Sequence, residues 1–150
     1  MEIEHKYLVH DMGFVNQSVS VSHIIQGYLV AREGCTVRIR IRDDEAFITV
    51  KGKSSENGLS RDEWEYPVPL SDARDMISLC DGHVVSKKRY LVPYREKVWE
   101  VDVFEGRHAG LILAELEVET ESETFDLPSW IGAEVTGQKQ YYNARMALDK

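Results

Sequence analysis

The sequence is poor in residues that cross-link a chain or build soft metal sites. It holds two cysteines, Cys35 and Cys80, with no CxxC pair. That excludes a disulfide-stapled scaffold and leaves two reduced, structural thiols. The five histidines are scattered at 5, 10, 23, 83 and 108 without an HExxH spacing, which excludes a histidine-built zinc centre. No apolar run approaches the roughly 18 residues of a membrane span, and the acidic N-terminus lacks the basic and apolar regions of a secretory leader. A cytoplasmic protein without membrane contact is expected. Basic residues are outnumbered, 18 against 26 acidic, for a net charge of −8; a duplex nucleic-acid partner is therefore not expected, because that affinity comes from neutralising phosphates. Gly52-Lys53-Ser54 imitates the tail of a phosphate-binding loop, but Phe47 stands where the first glycine must be.

What is present is alternation. With 43% hydrophobic and 29% charged residues, the 150 residues suit one domain with a real core. Residues 1 to 9 read as a strand, and 11 to 26 as a loop followed by a short helical or irregular segment. An extended stretch starts at Gly27. Residues 36 to 53 form two alternating runs about an acidic turn, a hairpin signature. Another run spans 59 to 68. Ser71 caps a helix to Cys80, with apolar positions 73, 76, 77 and 80. Three further strands cover 83 to 92, 97 to 104 and 111 to 119, and a helix closes the chain over about 138 to 148. The expected fold is β-dominated α+β: about eight antiparallel strands closed into a barrel, with a few flanking helices.

Successive side chains of a strand point to opposite faces, so Glu2, Glu4 and Lys6 share one face at intervals of roughly 6 to 7 Å. The same parity gathers Arg38, Arg40 and Arg42; Lys51 and Lys53; Arg61, Glu63 and Glu65; Lys87 and Arg89; Glu100 and Asp102; Glu115, Glu117 and Glu119. A solvated face would intersperse the two signs along each strand. Here whole strands are basic or acidic, which asks for a charged ligand. If this face lines a barrel, the interior is a wet tunnel, since dry burial of one such ion costs on the order of 20 kcal/mol. The apolar faces would then look outward, beneath helices, loops or a second copy in a homodimer. Arg forks and Lys points suit an oligophosphate. Carboxylates beside phosphate call for a hard divalent ion, Mg²⁺ or Mn²⁺, held by Glu2, Glu4, Glu115 and Glu117.

In order, EIEHK, VRIR, TVKGK, RDEWE, SKKR, WEVDVF, LAELEVE and EVTGQKQYYN resemble the CYTH domain proteins, or triphosphate tunnel metalloenzymes, across residues 1 to about 145. The resemblance implies a single CYTH domain over 1–150, an eight-stranded antiparallel barrel around a charged tunnel. It implies metal ligands at Glu2, Glu4, Glu115 and Glu117, with Glu63, Glu65 and Asp102 as supporting acids at the metal. It implies a triphosphate cradle of Lys6, Arg38, Arg40, Lys51, Lys53, Arg61, Lys87 and Arg89, with Lys139 on the terminal helix capping one mouth. Glu2, Glu4, Lys87 and Glu117 would form the catalytic group. His5 replaces the arginine common inside the first motif; its parity gives it a packing role outside. The implied activity is hydrolysis of inorganic tripolyphosphate to pyrophosphate and phosphate. Relatives turn over nucleoside or thiamine triphosphate or cyclise ATP, and a non-catalytic polyphosphate binder is a further alternative. Trp64, Tyr66 and Trp99 fall on the uncharged parity, so no aromatic nucleobase pocket is expected on the charged side.

Overall fold

The computed structural model describes residues 1–148. Ten strands form it: β1 Glu2–Val9, β2 Ser20–Arg32, β3 Cys35–Arg42, β4 Glu45–Gly52, β5 Ser60–Arg61, β6 Glu63–Val68, β7 Asp81–Tyr94, β8 Lys97–Phe104, β9 Ile112–Glu117 and β10 Ile131–Glu134. Two helices accompany them, α1 Leu70–Ile77 and α2 Asn143–Leu148. No helix among the described residues is long and apolar enough to cross a membrane.

The strands pair antiparallel in the order β10-β1-β9-β8-β7-β2-β3-β4-β6. Antiparallel neighbours need only short connections, and the hairpin turns supply them. Arg95 and Glu96 join β7 to β8 with φ of 45° and 68°, the left-handed pair of a type I′ turn, whose twist matches the strands it connects. The sheet curls into a half-closed barrel. Its seam is narrow: β5 returns to β1 through two register pairs, Glu2 with Arg61 and Ile3 with Ser60.

Several expectations need correction. Ten strands replace eight, because the run at 59 to 68 breaks at Asp62 into β5 and β6, and because β10 arises between 119 and 138, where no strand was expected. Strand β2 begins at Ser20, inside the segment read as loop or helix; Ser20, Ser22, Ile24, Gln26 and Tyr28 keep period 2 there and pair with β7. Helix α1 starts at Leu70 behind Pro69, so Ser71 lies within its first turn and caps nothing. Among the described residues the terminal helix spans Asn143–Leu148, preceded by a 3₁₀ turn at Lys139–Tyr141; a helix this short is held by its packing.

Three apolar clusters make the core. Helix α1 lays Ala73, Met76 and Ile77 over Ile39 and Ala46. Phe14 and Trp130 cover Trp99, Val101 and Ala114 on the outer wall. The third cluster departs from expectation. Tyr28, Val85, Phe104 and Leu113 share strand faces with the charged residues, yet they pack against Met146 and Ala147 of α2. Helix α2 therefore fills one end of the hollow instead of covering its outside. Along β1 the inward face runs Glu2, Glu4, Lys6, then Leu8, which joins this apolar end.

Candidate active site

Above the apolar end lies a cavity of about 770 Å³. It collects the charged rows as parity expected: Glu2, Glu4 and Lys6 of β1; Arg38, Arg40 and Arg42 of β3; Lys51 of β4 and Lys53 beyond it; Arg61, Glu63 and Glu65; Lys87 and Arg89 of β7; Glu100 of β8; Glu115 and Glu117 of β9. Lys139 reaches it from the 3₁₀ turn and is exposed at the mouth, 4.0 Å from Glu33. Asp102 does not line the cavity. It is fully buried in the wall behind, where its carboxylate accepts from Arg89 Nε at 2.8 Å and Nη2 at 2.9 Å and meets Lys87 Nζ at 2.6 Å.

The acids divide into two environments. Glu2 lies 3.0 Å from Lys51 Nζ, which also approaches Glu63 at 3.3 Å. Burial would raise the Glu2 carboxyl, but Lys51 and the hydrogen bond with Glu63 hold it below its usual range. Glu63 is correspondingly pushed up by burial and by Glu2. Glu115 pairs with Lys6 at 3.7 Å; against burial, Lys6, Arg89 and Lys87 hold it well below the usual range. Glu4 makes no direct ion pair among the described residues, and Lys51 and Lys6 relieve it only in part. Burial, then Glu115 and Glu2, drive its carboxyl well above the ordinary carboxylate value. Glu117, opposite Glu4 across β1 and β9, rises through burial, Glu2 and Glu100. Negative charge is in local surplus around Glu4, and a surplus of hard oxygen donors is relieved by a proton or by a hard cation. Among the described residues no three His, Cys, Asp or Glu side chains already stand together as a metal cluster; the acids are held by their lysine and arginine partners.

On the basic side, Arg38 Nη2 donates to Thr49 Oγ1 at 3.1 Å, and Thr49 in turn donates to Glu65 at 2.8 Å. Arg89 also reaches Glu100 at 3.1 Å. Arg61 donates to Ser54 at 2.8 Å. Burial, with Arg38 and Arg89 close by, lowers Arg40 to about 9. Lys87 falls to about 7 through burial and the neighbouring Arg89 and Arg40, against the pull of Asp102. Arg89, buried but paired with Asp102, is held well above its usual value, so Arg40 and Lys87 are the cations whose charge a bound anion would stabilise most.

The charged rows left some of the lining unread. Tyr28 and Tyr142 both line the cavity, two aromatic residues in addition to Trp64, Tyr66 and Trp99, the three whose parity is read from the sequence. The Tyr142 ring lies 5.5 Å from Lys6 Nζ and 5.4 Å from Arg61 Cζ. Asn143 joins the lining as a neutral amide, and Gln26 stands fully buried behind it, bonded to Asn143 and Arg40. Gln26 could have been found by extending β2 parity back to Ser20; for Tyr142 and Asn143 no periodic signal exists, because they lie where a 3₁₀ turn passes into α2. Trp99 is buried outside the wall, and Trp64 and Tyr66 stand exposed on the outer face of β6, as parity requires. His5 points outward, bonded to Glu134 at 2.7 Å and edge-on to Phe125.

Comparison with known proteins gives one consistent picture. An inorganic triphosphatase of Acetivibrio thermocellus is 38% identical over 146 residues, covering 97% of this chain and 92% of the relative. An inorganic triphosphatase of Nitrosomonas europaea is 34% identical over 151 residues, covering 98% and 97%. The crystal structure of an inorganic triphosphatase superimposes with a TM-score of 0.73 at 29% identity, covering all of this chain and 96% of that one. The CYTH domain profile matches residues 1–146. The arrangement of acids and bases on inward strand faces and these matches over nearly the whole chain lead to one statement: the protein belongs to the CYTH domain family.

Proposed function

We infer that the protein is a divalent-metal-dependent inorganic triphosphatase that converts tripolyphosphate and water into pyrophosphate and phosphate. The observation that carries this reading is the sorting of charge across one cavity of about 770 Å³, an arginine- and lysine-rich wall with a glutamate wall whose member Glu4 makes no direct ion pair among the described residues. The two relatives named inorganic triphosphatase support it.

The donor set fits a hard divalent cation such as Mg²⁺ or Mn²⁺: it is carboxylate throughout, it carries excess negative charge at Glu4, and it adjoins a phosphate-compatible wall. Glu2, Glu4, Glu115 and Glu117 would hold the ion, with Glu63 and Glu65 at its periphery. When bound, it would neutralise phosphate charge and lower the pKa of an attacking water. Arg38, Arg40, Arg61 and Arg89 present forks to phosphate oxygens, and Lys6, Lys51 and Lys87 add point charges. Lys53 and Lys139, exposed at the rim, draw the anion in. In the reaction a water oxygen bonds to a terminal phosphorus, the bridging P–O bond breaks, pyrophosphate leaves and the water's proton is lost. The protein contributes positioning and stabilisation of charge spread over the phosphoryl oxygens. Asp102 takes a different part from the supporting ligand first expected: from behind the wall it fixes Lys87 and Arg89. The free Cys35 and Cys80 suit a cytoplasmic location.

The test measures phosphate release from tripolyphosphate and from ATP with Mg²⁺ or Mn²⁺, for the native protein and for Glu4→Gln. Tripolyphosphate should be preferred, and Glu4→Gln should lower kcat by at least about a hundredfold, the scale of losing a metal ligand or transition-state contact. Binding of tripolyphosphate without turnover would make the protein a polyphosphate-binding module, and faster turnover of ATP, to cyclic AMP or to ADP, would move it to the nucleotide branch.

A further inference from the structure

Gln26 and Asn143 are the two amides among the charges, and their hydrogen bonds form a continuous path. The Gln26 side chain is fully buried. Its Oε1 accepts from Arg40 Nε at 2.9 Å, and its Nε2 donates to the Tyr28 hydroxyl at 3.0 Å and to Asn143 Oδ1 at 3.2 Å. The same Asn143 oxygen accepts from Lys87 Nζ at 2.9 Å. Lys87 continues to Asp102, and Asp102 to Arg89. Cations from β3 and β7 are thereby tied to one another through two neutral side chains.

The path crosses the boundary between the two halves of the barrel interior. Asn143 is the first residue of α2, whose Met146 and Ala147 pack into the apolar end. An ammonium has three donors. For Lys87 one goes to Asp102, which draws it into the wall, and one to Asn143, which α2 holds in place. The direction of the remaining N–H then depends on where α2 sits. Hydrogen bonds from buried amides fix side-chain position more sharply than apolar contact, since each bond has a required direction.

We propose that Gln26 and Asn143 are positioning residues that aim Lys87 and Arg40 at the triphosphate, and that the seating of α2 sets this aim through Asn143. The inference rests on the triphosphatase reading. It differs from a purely structural role in what it predicts. Amides that merely satisfied buried groups would affect stability and leave turnover by the folded protein alone; aiming residues affect kcat in protein that is still folded.

The experiment compares tripolyphosphate hydrolysis and urea unfolding for Asn143→Leu, Asn143→Asp, Gln26→Leu, the Gln26→Leu/Asn143→Leu double variant and Lys87→Met. Asn143→Leu keeps the branched shape and loses the acceptor, and is expected to lower kcat by about 10- to 100-fold, as loss of a supporting hydrogen bond does, with KM within about threefold. Asn143→Asp keeps the acceptor oxygen; it should recover most of that kcat but raise KM, because its charge opposes the anion. Gln26→Leu should resemble Asn143→Leu, and the double variant should be no slower than the worse single one, as for residues acting as a unit. Should leucine at 143 prevent folding, Asn143→Ala, at a half-buried position, carries the same comparison. Folded leucine or alanine variants with native kcat, losses that multiply in the double variant, or an Asn143→Asp protein as slow as Asn143→Leu would each overturn the proposal. If those results came with an inactive Lys87→Met, the positioning role alone would fall. A fully active Lys87→Met would instead remove Lys87 from the triphosphatase reading and the proposal with it.

Discussion

At Glu4 the demands of function and stability oppose each other. Its carboxyl is buried beside Glu115 and Glu2 and held well above its ordinary pKa. A group whose folded pKa exceeds its unfolded value contributes its stability below the unfolded pKa, near 4.3, and loses it as pH rises through the folded value. The metal-free native protein and the Glu4→Gln variant should therefore melt together near pH 4 and diverge by pH 8. There the variant should be more stable by about 2–4 °C, the shift that about 1 kcal/mol makes in a chain of this size. Scanning calorimetry at both pH values checks this; a variant less stable at pH 8 would mean that Glu4 is not under electrostatic stress. Protons and the divalent ion also compete for that carboxylate, so Mn²⁺ affinity measured by titration calorimetry should weaken as pH falls from 8 to 5. Periodicity alone places Glu4 inward. It does not show which glutamates have lysine partners, because Lys51 and Lys6 come from strands whose register is fixed only in the assembled sheet.

At the scale of elements, the seam over β1 depends on two glycines meeting. The loop before β5 and the loop after β10 touch at Gly58 and Gly137, with φ of +75° and +79°. A Cβ on Gly58 would come within 2.3 Å of Gly137 Cα, whereas one on Gly34, at φ +88°, would meet nothing within 4 Å. Gly58→Ala should therefore cost roughly 2 to 4 kcal/mol and Gly34→Ala about 1, the first adding backbone displacement to the left-handed strain that both share. Urea unfolding of the two variants checks this, and equal costs would show that the two loops do not form a tight seam. Strands with strict alternation, such as β3, β4 and β8, were legible because period 2 survives wherever one face is apolar. The terminal helix was legible too, with its start read about five residues early; strand β10 was not. The four residues of β10 earn their strand geometry from β1, through the pairs Tyr7 with Glu134 and Val9 with Ile131, and α2 from its burial against the apolar end.

For the whole molecule, the main quantity is the contrast between a net charge of −8 and a hollow with a strongly cationic wall. Folding concentrates the minority charge in one place, where low-dielectric walls focus its field. Tripolyphosphate without metal should therefore stabilise the native protein. At about 100 times its Kd the gain is about 2.7 kcal/mol, a rise in Tm of about 5–10 °C, shrinking as KCl is added. Thermal unfolding with and without tripolyphosphate decides it, and an unchanged Tm would show that the cavity does not receive the anion.

The sequence by itself determined which side chains share a face, and so that acids and bases from separate strands would meet on a charged interior. The tertiary structure alone decided that this hollow is filled at one end by α2, that Asp102 stands behind the wall rather than in it, and that Tyr142 and Asn143 belong to the lining with Gln26 buried behind them. Parity is a local property of an extended backbone and is written in every second residue. Which ion finds which partner depends on strand register and on chain-distant packing, and no local period encodes those.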